Sequence, residues 1–215
     1  MTRTVKGSSE PGTTGHVVHW AARYDLLLWL LTLGRERRFR ERLLQPVRLQ
    51  PGESVLDVGC GTGTLAIVAK QCVGPEGSVY GVDASPAMIA RARKKARKAG
   101  VDVTFEQGVA DALAFEDGRF DVVLSTVMLH HLPRQARPES VREMRRVLKP
   151  GGRLLAVDFA GARNGHGPLV HFHRHGHVEP RALVELLSDA GLHVVDSRPL
   201  GMWSLQSVVG EAPRA

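Results

Sequence analysis

Val55 to Leu65 reads VLDVGCGTGTL, and it decides the fold. An apolar run ends at Asp57, the chain turns through Gly59, Gly61 and Gly63, and a helical pattern takes over at Thr64. Glycines at a strand-to-helix turn let the backbone approach a ligand closely, at the carboxyl edge where open α/β sheets bind ligands. The glycine spacing is G-x-G-x-G, with an acid two residues before the first glycine; the dinucleotide fingerprint G-x-G-x-x-G differs, and no G-x-x-x-x-G-K-[ST] element of a P-loop occurs. A cofactor site of another kind is expected at this turn.

Outward from it, β-rich runs alternate with helical patterns. Strands are expected over Ser54 to Val58, Ser78 to Val82, Val101 to Phe105, Phe120 to Ser125 and Arg153 to Asp158, with helices at Thr64 to Val73, Pro86 to Ala99 and Pro138 to Leu148. This alternation predicts a parallel sheet covered by helices on both faces. In the helix from Pro86, Met88, Ile89, Ala92, Ala96 and Ala99 recur at helical spacing and face the sheet, while Arg91, Arg93, Lys94, Lys95, Arg97 and Lys98 form a stripe expected to face water. Ser85 before Pro86 fits an N-cap with proline at the first helical position. Pro180 to Ala190 reads as an amphipathic helix, and Leu192 to Ser197 with Met202 to Val209 as a closing hairpin.

The organisation follows: a flexible tail over 1–15, then one domain over 16–215. Within it lie a helical cap (16–50), a cofactor-binding core (51–160), a histidine-rich lid loop (161–178) and a C-terminal helix and hairpin (179–215). A chain of 215 residues with 43% hydrophobic and 24% charged residues suits one globular domain. Two cysteines, Cys60 and Cys72, and no apolar leader point to a reducing, cytoplasmic setting. The apolar run Leu26 to Leu33 falls short of the roughly 20 residues a spanning helix needs. The arginines that follow it leave a peripheral membrane contact open. The formal charge of +7 would favour anionic partners if focused, but no segment remains for a nucleic-acid-binding domain.

A second acid narrows the ligand. Asp83 closes the next strand, about twenty residues past the glycine turn, where a carboxylate can accept hydrogen bonds from two ribose hydroxyls. With Val55 to Gly63, Val82-Asp83-Ala84-Ser85, Leu129-His130-His131-Leu132 and Leu148-Lys149-Pro150-Gly151-Gly152, the chain resembles the class I S-adenosylmethionine-dependent methyltransferases. Among them it is most similar to the ubiquinone and menaquinone biosynthesis C-methyltransferases and related small-molecule enzymes. Ala21-Ala22-Arg23-Tyr24-Asp25 is similar to that group's N-terminal helices.

The resemblance implies a Rossmann-like, mostly parallel seven-stranded sheet with a C-terminal antiparallel hairpin, and S-adenosyl-L-methionine as cofactor. It places Asp57, Gly59, Gly61, Thr62 and Gly63 at the amino-acid end of the cofactor, Asp83 at the ribose, and Ala84 and Met88 against adenine. Ser125 and Thr126 border the sulfonium, and Tyr24 folds over the cofactor or belongs to the core. The family's Gly-Asp-Ala reads Gly108-Val109-Ala110-Asp111 here, so adenine recognition is assigned to backbone groups at Val109 and Ala110.

Methyl transfer from a sulfonium needs an aligned acceptor and few catalytic side chains, with a base only where the acceptor must lose a proton. His131 and His130, just past the fourth strand, are the candidates for that base, with loop packing as the other reading. Asp158 ends the fifth strand on the same edge, either in the site or organising its loop. Cys60 is read as packing. The alternation of His171, His173, His175 and His177, near His166, offers metal-ligand types, but a polar lid over the acceptor is preferred and no metal is assigned. The expected function is methylation of a small-molecule acceptor such as a quinone or aromatic metabolite. The alternatives are a phospholipid methyltransferase at a membrane surface and a non-catalytic cofactor-binding subunit.

Overall fold

The computed structural model describes residues 36–160, 178–201 and 204–214. Tyr24, the 1–15 tail, the apolar run at 26–33 and the histidines at 166–177 lie outside the described residues.

The elements are α1 (Glu36–Leu44), β1 (Ser54–Val58), α2 (Thr64–Val73), β2 (Ser78–Asp83), α3 (Pro86–Ala99), β3 (Thr104–Gln107), β4 (Phe120–Thr126), α4 (Arg137–Arg146), β5 (Leu148–Phe159), α5 (Pro180–Asp189), β6 (His193–Pro199) and β7 (Leu205–Glu211). One sheet runs in the order β3-β2-β1-β4-β5-β7-β6. The first five strands are parallel, and β7 pairs antiparallel with both β5 and β6. The strand order reverses between β1 and β4, and the carboxyl ends of those strands define the crevice where such sheets bind ligands.

Alternation along the strands sorts the core into two faces. Val55, Val122, Leu124 and Val157 pack with Leu43 of α1, Ala66 of α2 and Ile89 of α3. Leu56, Val58, Val123 and Ala156 pack with Met144 of α4 and Leu187 of α5 on the other. Asp57 shares the parity of Val55 and lies on the α1–α3 face. Asp158 shares the parity of Ala156 and lies on the opposite one.

Four expectations shift. The strand expected over Val101 to Phe105 begins at Thr104, because α3 ends in a Schellman motif: Gly100 at φ +66° donates to Arg97 O and Val101 to Ala96 O. β5 begins at Leu148 rather than Arg153, its first residues joining the sheet across a register shift opposite β4 between Phe120 and Val122. The described part of the last strand starts at Leu205. The basic stripe of α3 is only partly solvated: Arg93 donates twice to Phe105 O (3.1 and 2.6 Å), and Lys95 Nζ donates to the Thr62 and Thr64 hydroxyls. Two of its cations therefore fasten α3 to β3 and to the start of α2. Ser85 caps α3 as expected, accepting from Met88 N–H at 3.4 Å. Among the described residues no helix is long and apolar enough to cross a membrane.

Gly63 joins the turn to this packing. Its φ is +76°, and an added Cβ would lie 2.6 Å from the Phe105 ring and 2.8 Å from Ala92 Cβ. Replacing Gly63 by Ala combines left-handed strain with overpacking and should destabilise the protein by about 2–4 kcal/mol. A urea midpoint unchanged from wild type would contradict that packing account.

Candidate functional site

The glycine turn is suspended from the end of β2. Gly59 and Cys60 N–H both donate to Val82 O (2.8 and 3.0 Å), and Gly61 N–H donates to Asp83 Oδ2 at 2.9 Å. Asp83 Oδ1 accepts from Ser85 N–H, also at 2.9 Å. Each carboxylate oxygen thus holds one amide and keeps acceptor capacity for a ligand hydroxyl. Burial raises the Asp83 pKa, opposed by the Ser85 and Gly61 donors.

The three glycines serve different ends. A Cβ at Gly59 would strike the Met128 side chain at 2.2 Å and one at Gly63 would strike Phe105, whereas one at Gly61 would meet nothing within 4 Å. Only at Gly61 does open space border the positive-φ backbone, so it is there that a ligand can lie against the main chain.

Asp57 is 1% exposed, and neither carboxylate oxygen has a hydrogen-bond partner among the described residues. Burial pushes its pKa from the ordinary 3.8 up to about 7; Arg40 pulls against this, the Asp83 charge adds to it, and the neighbouring Ala66 N–H lowers it. Arg40 itself is 7% exposed. A buried carboxylate with so little donor support is costly, and a cationic ligand group would offset that cost. Burial, followed by the charges of Asp57 and Asp83, pushes the Cys60 thiol well above its ordinary range. This supports a packing role for Cys60 over a nucleophilic one.

The second cluster sits past β4. Val127 takes φ +55°, rare for a β-branched residue, and its N–H donates to Val157 O at 2.7 Å. This kink lays Met128 over Gly59 and starts a short 3-10 turn, Leu129–His131. His130 N–H donates to Asp158 Oδ2 at 3.0 Å, and His130 Nδ1 lies 2.7 Å from Asp158 Oδ1, which also accepts from Phe159 N–H. An ionised carboxylate can only accept, so a neutral imidazole in this contact carries its proton on Nδ1 and its lone pair on Nε2. The His131 ring rests on that of His130 at 3.9 Å between centroids, and Phe159 meets His130 edge-on at 5.3 Å. His131 is exposed; the His130 side chain is 12% exposed and that of Asp158 is fully buried.

Residues 55–152 match the methyltransferase domain family. The chain is 38% identical over 151 residues to the demethylmenaquinone methyltransferase of Thermus thermophilus, covering 70% of this chain and 67% of that protein. The chain belongs to the class I S-adenosylmethionine-dependent methyltransferases. The ubiquinone/menaquinone biosynthesis C-methyltransferase UbiE of Yersinia enterocolitica is 34% identical over 161 residues, covering 74% of this methyltransferase and 63% of the relative's length. Two solved structures share its fold. A methyltransferase from Aquifex aeolicus has TM-score 0.70 at 23% identity, covering 89% of this chain and 97% of its own. The [4+2]-cyclase SpnF has TM-score 0.72 at 20% identity, covering 84% and 82%.

The residues present fit S-adenosylmethionine, the cofactor of this family. Asp57 is a buried acceptor suited to an ammonium, Gly61 an open backbone, and Asp83 a carboxylate with spare lone pairs for a ribose diol. Ala84, Val109 and Ala110 are half-buried at the same edge, Met88 is buried, and Ser125 and Thr126 are buried at the end of β4. Ser125 Oγ has no hydrogen-bond partner among the described residues. Thr62 is 3% exposed, and its hydroxyl accepts from Lys95 at 3.1 Å, so it braces the turn from within. Among the described residues no group of three or more His, Cys, Asp or Glu is placed to hold a metal ion.

Two residues escaped the sequence reading. Arg40 is one of the arginines that follow the apolar run at 26–33, yet it stands three, four and seven residues before Leu43, Leu44 and Val47, all buried. That helical spacing was the available signal. The strained Val127 left no signal at all, since left-handed backbone at valine is imposed by the surrounding packing.

Two outcomes test the site. Asp83→Ala should weaken S-adenosylmethionine binding at least about tenfold by calorimetry, through lost ribose contacts and a loosened turn. Asp57 yields a pH-dependent prediction. Its folded pKa lies above the unfolded value, so the ligand-free fold binds a proton that the unfolded chain releases, and its stability falls as pH rises from about 4 through about 7. Asp57→Asn should raise the thermal midpoint above pH 7 while weakening cofactor binding. A lower midpoint or unchanged affinity would contradict this account.

Proposed function

We propose that this methyltransferase methylates a small hydroxylated aromatic acceptor of the quinol type, with His130 as the base. The observation that carries the reading is the 2.7 Å His130–Asp158 pair on the same sheet edge as Asp57, Gly61 and Asp83. The relatives support the acceptor class, being named as demethylmenaquinone and ubiquinone/menaquinone methyltransferases.

S-adenosylmethionine, when bound, supplies an electrophilic methyl group on a sulfonium. Asp57 and Arg40 would take the ammonium and carboxylate of its amino-acid end against the open backbone of Gly61. Asp83 accepts the ribose hydroxyls, Ala84 and Met88 pack on adenine, and backbone groups at Val109 and Ala110 meet its edge. Ser125 and Thr126 border the reacting centre.

His130 Nε2 takes the hydroxyl proton of the acceptor, leaving an oxyanion that activates the ring for attack. Asp158 holds Nδ1–H and stabilises the imidazolium that forms, the division of labour that positions a histidine base elsewhere. His131 is the weaker candidate: it is exposed, and its ring rests on that of His130, which holds the Asp158 contact.

Transfer of labelled methyl to 1,4-naphthoquinol, simple phenols, phosphatidylethanolamine vesicles and RNA separates the acceptor classes. Label is expected in the quinol, and His130→Phe should lose at least about 10²-fold in turnover while S-adenosylmethionine affinity stays within about twofold. Label in vesicles or RNA instead, or full turnover by His130→Phe, would overturn the reading.

A further inference from the structure

Arg137 occupies the first turn of α4 and is 8% exposed. Both facts are unfavourable in isolation. A cation at a helix N-terminus opposes the helix dipole, and burying a guanidinium is costly unless its donors are met. Its partners identify what offsets these costs. Nε donates to Leu132 O at 3.2 Å and Nη2 to His130 O at 3.5 Å, so both bonds end on the turn that carries the paired histidines. Burial lowers the Arg137 pKa, the Asp158 charge opposes that, and Arg134 adds to it.

The turn is therefore gripped from two sides. Asp158, rooted in β5, takes the amide and ring N–H of His130. Arg137, rooted in α4, takes the carbonyls of His130 and Leu132. The turn's own bonds are few: His131 N–H to Met128 O at 2.9 Å and Leu132 N–H to Leu129 O at 3.1 Å. A 3-10 turn this short has little stiffness of its own, and a small displacement of a positioned base is enough to cost turnover.

We infer that Arg137 is a positioning residue for methyl transfer: its guanidinium clamps the carbonyl side of the Leu129–His131 turn while Asp158 clamps the amide side, fixing the direction of the His130 imidazole. The inference rests on His130 serving as the base. Arg137 touches neither acceptor nor cofactor in this account. It acts through the turn, and the planar fork that reaches two carbonyls together is a geometry lysine cannot reproduce.

The deciding experiment reads the ring directly. In protein labelled with ¹⁵N-histidine, with His130 assigned by comparison with the His130→Phe spectrum, the wild type should show His130 protonated at Nδ1. In Arg137→Met the pattern should move to a mixture of tautomers. With 1,4-naphthoquinol, Arg137→Met should lose about tenfold in kcat, with KM and cofactor affinity within about twofold, and Arg137→Lys should recover part of the loss. If the methionine variant does not fold, Arg137→Gln and Arg137→Lys carry the same two readouts. An unchanged His130 spectrum in every folded variant overturns the inference, as does a lowered thermal midpoint with wild-type kcat. Turnover by His130→Phe removes the base assignment instead and leaves the spectrum to judge the clamp.

Discussion

The Asp83 carboxylate accepts one amide from the glycine turn and one from the start of α3, each at 2.9 Å. With Val82 O accepting from Gly59 and Cys60, it hangs the β1–α2 turn on the end of β2. The rest of the site depends on this attachment. It fixes Gly61, whose backbone faces open space, against the end of β2. It also places Gly59 where Met128 packs, so the turn and the β4 end share one contact. Loss of the Asp83 carboxylate would release a structural turn and a ligand site together.

The two faces of the sheet meet at this edge with different chemistries. On the α1–α3 side, burial raises the Asp57 pKa to about 7 while Arg40, also buried, pulls against that shift. On the α4–α5 side, Asp158 satisfies its oxygens with His130 and Phe159 donors and needs no ligand. One carboxylate has no side-chain donor among the described residues, while the other is spent on orienting a side chain. The backbone joins the halves through β4, where Val127 turns the chain from the cofactor end toward the histidines.

The fold neighbours carry different chemistries on one kind of sheet. A cyclase and a methyltransferase both superpose on this chain at TM-scores of 0.70 or above with identities under 25%. The sheet is therefore a platform, and the reaction belongs to the residues at its edge. Family membership follows from the relative that is 38% identical, while the case for His130 as a base lies in the His130–Asp158 geometry.

Much of this was legible in the residues. Thr64–Val73 and Pro86–Ala99 form helices at the expected bounds, because apolar spacing, a Ser-Pro start and glycine stops are local signals that tertiary packing did not override. Gly59, Gly61, Gly63 and Asp83 were readable because a strand-to-helix turn and a strand-end acid have fixed separations along the chain. What only the tertiary structure decided involves residues distant in sequence: Arg40 acting on Asp57, Asp158 closing on His130 across 28 positions, and Lys95 reaching Thr62 across 33. A sequence states which groups exist and their local period. Which lone pair meets which proton depends on how strands and helices stack, and that is set by the packing of both faces at once.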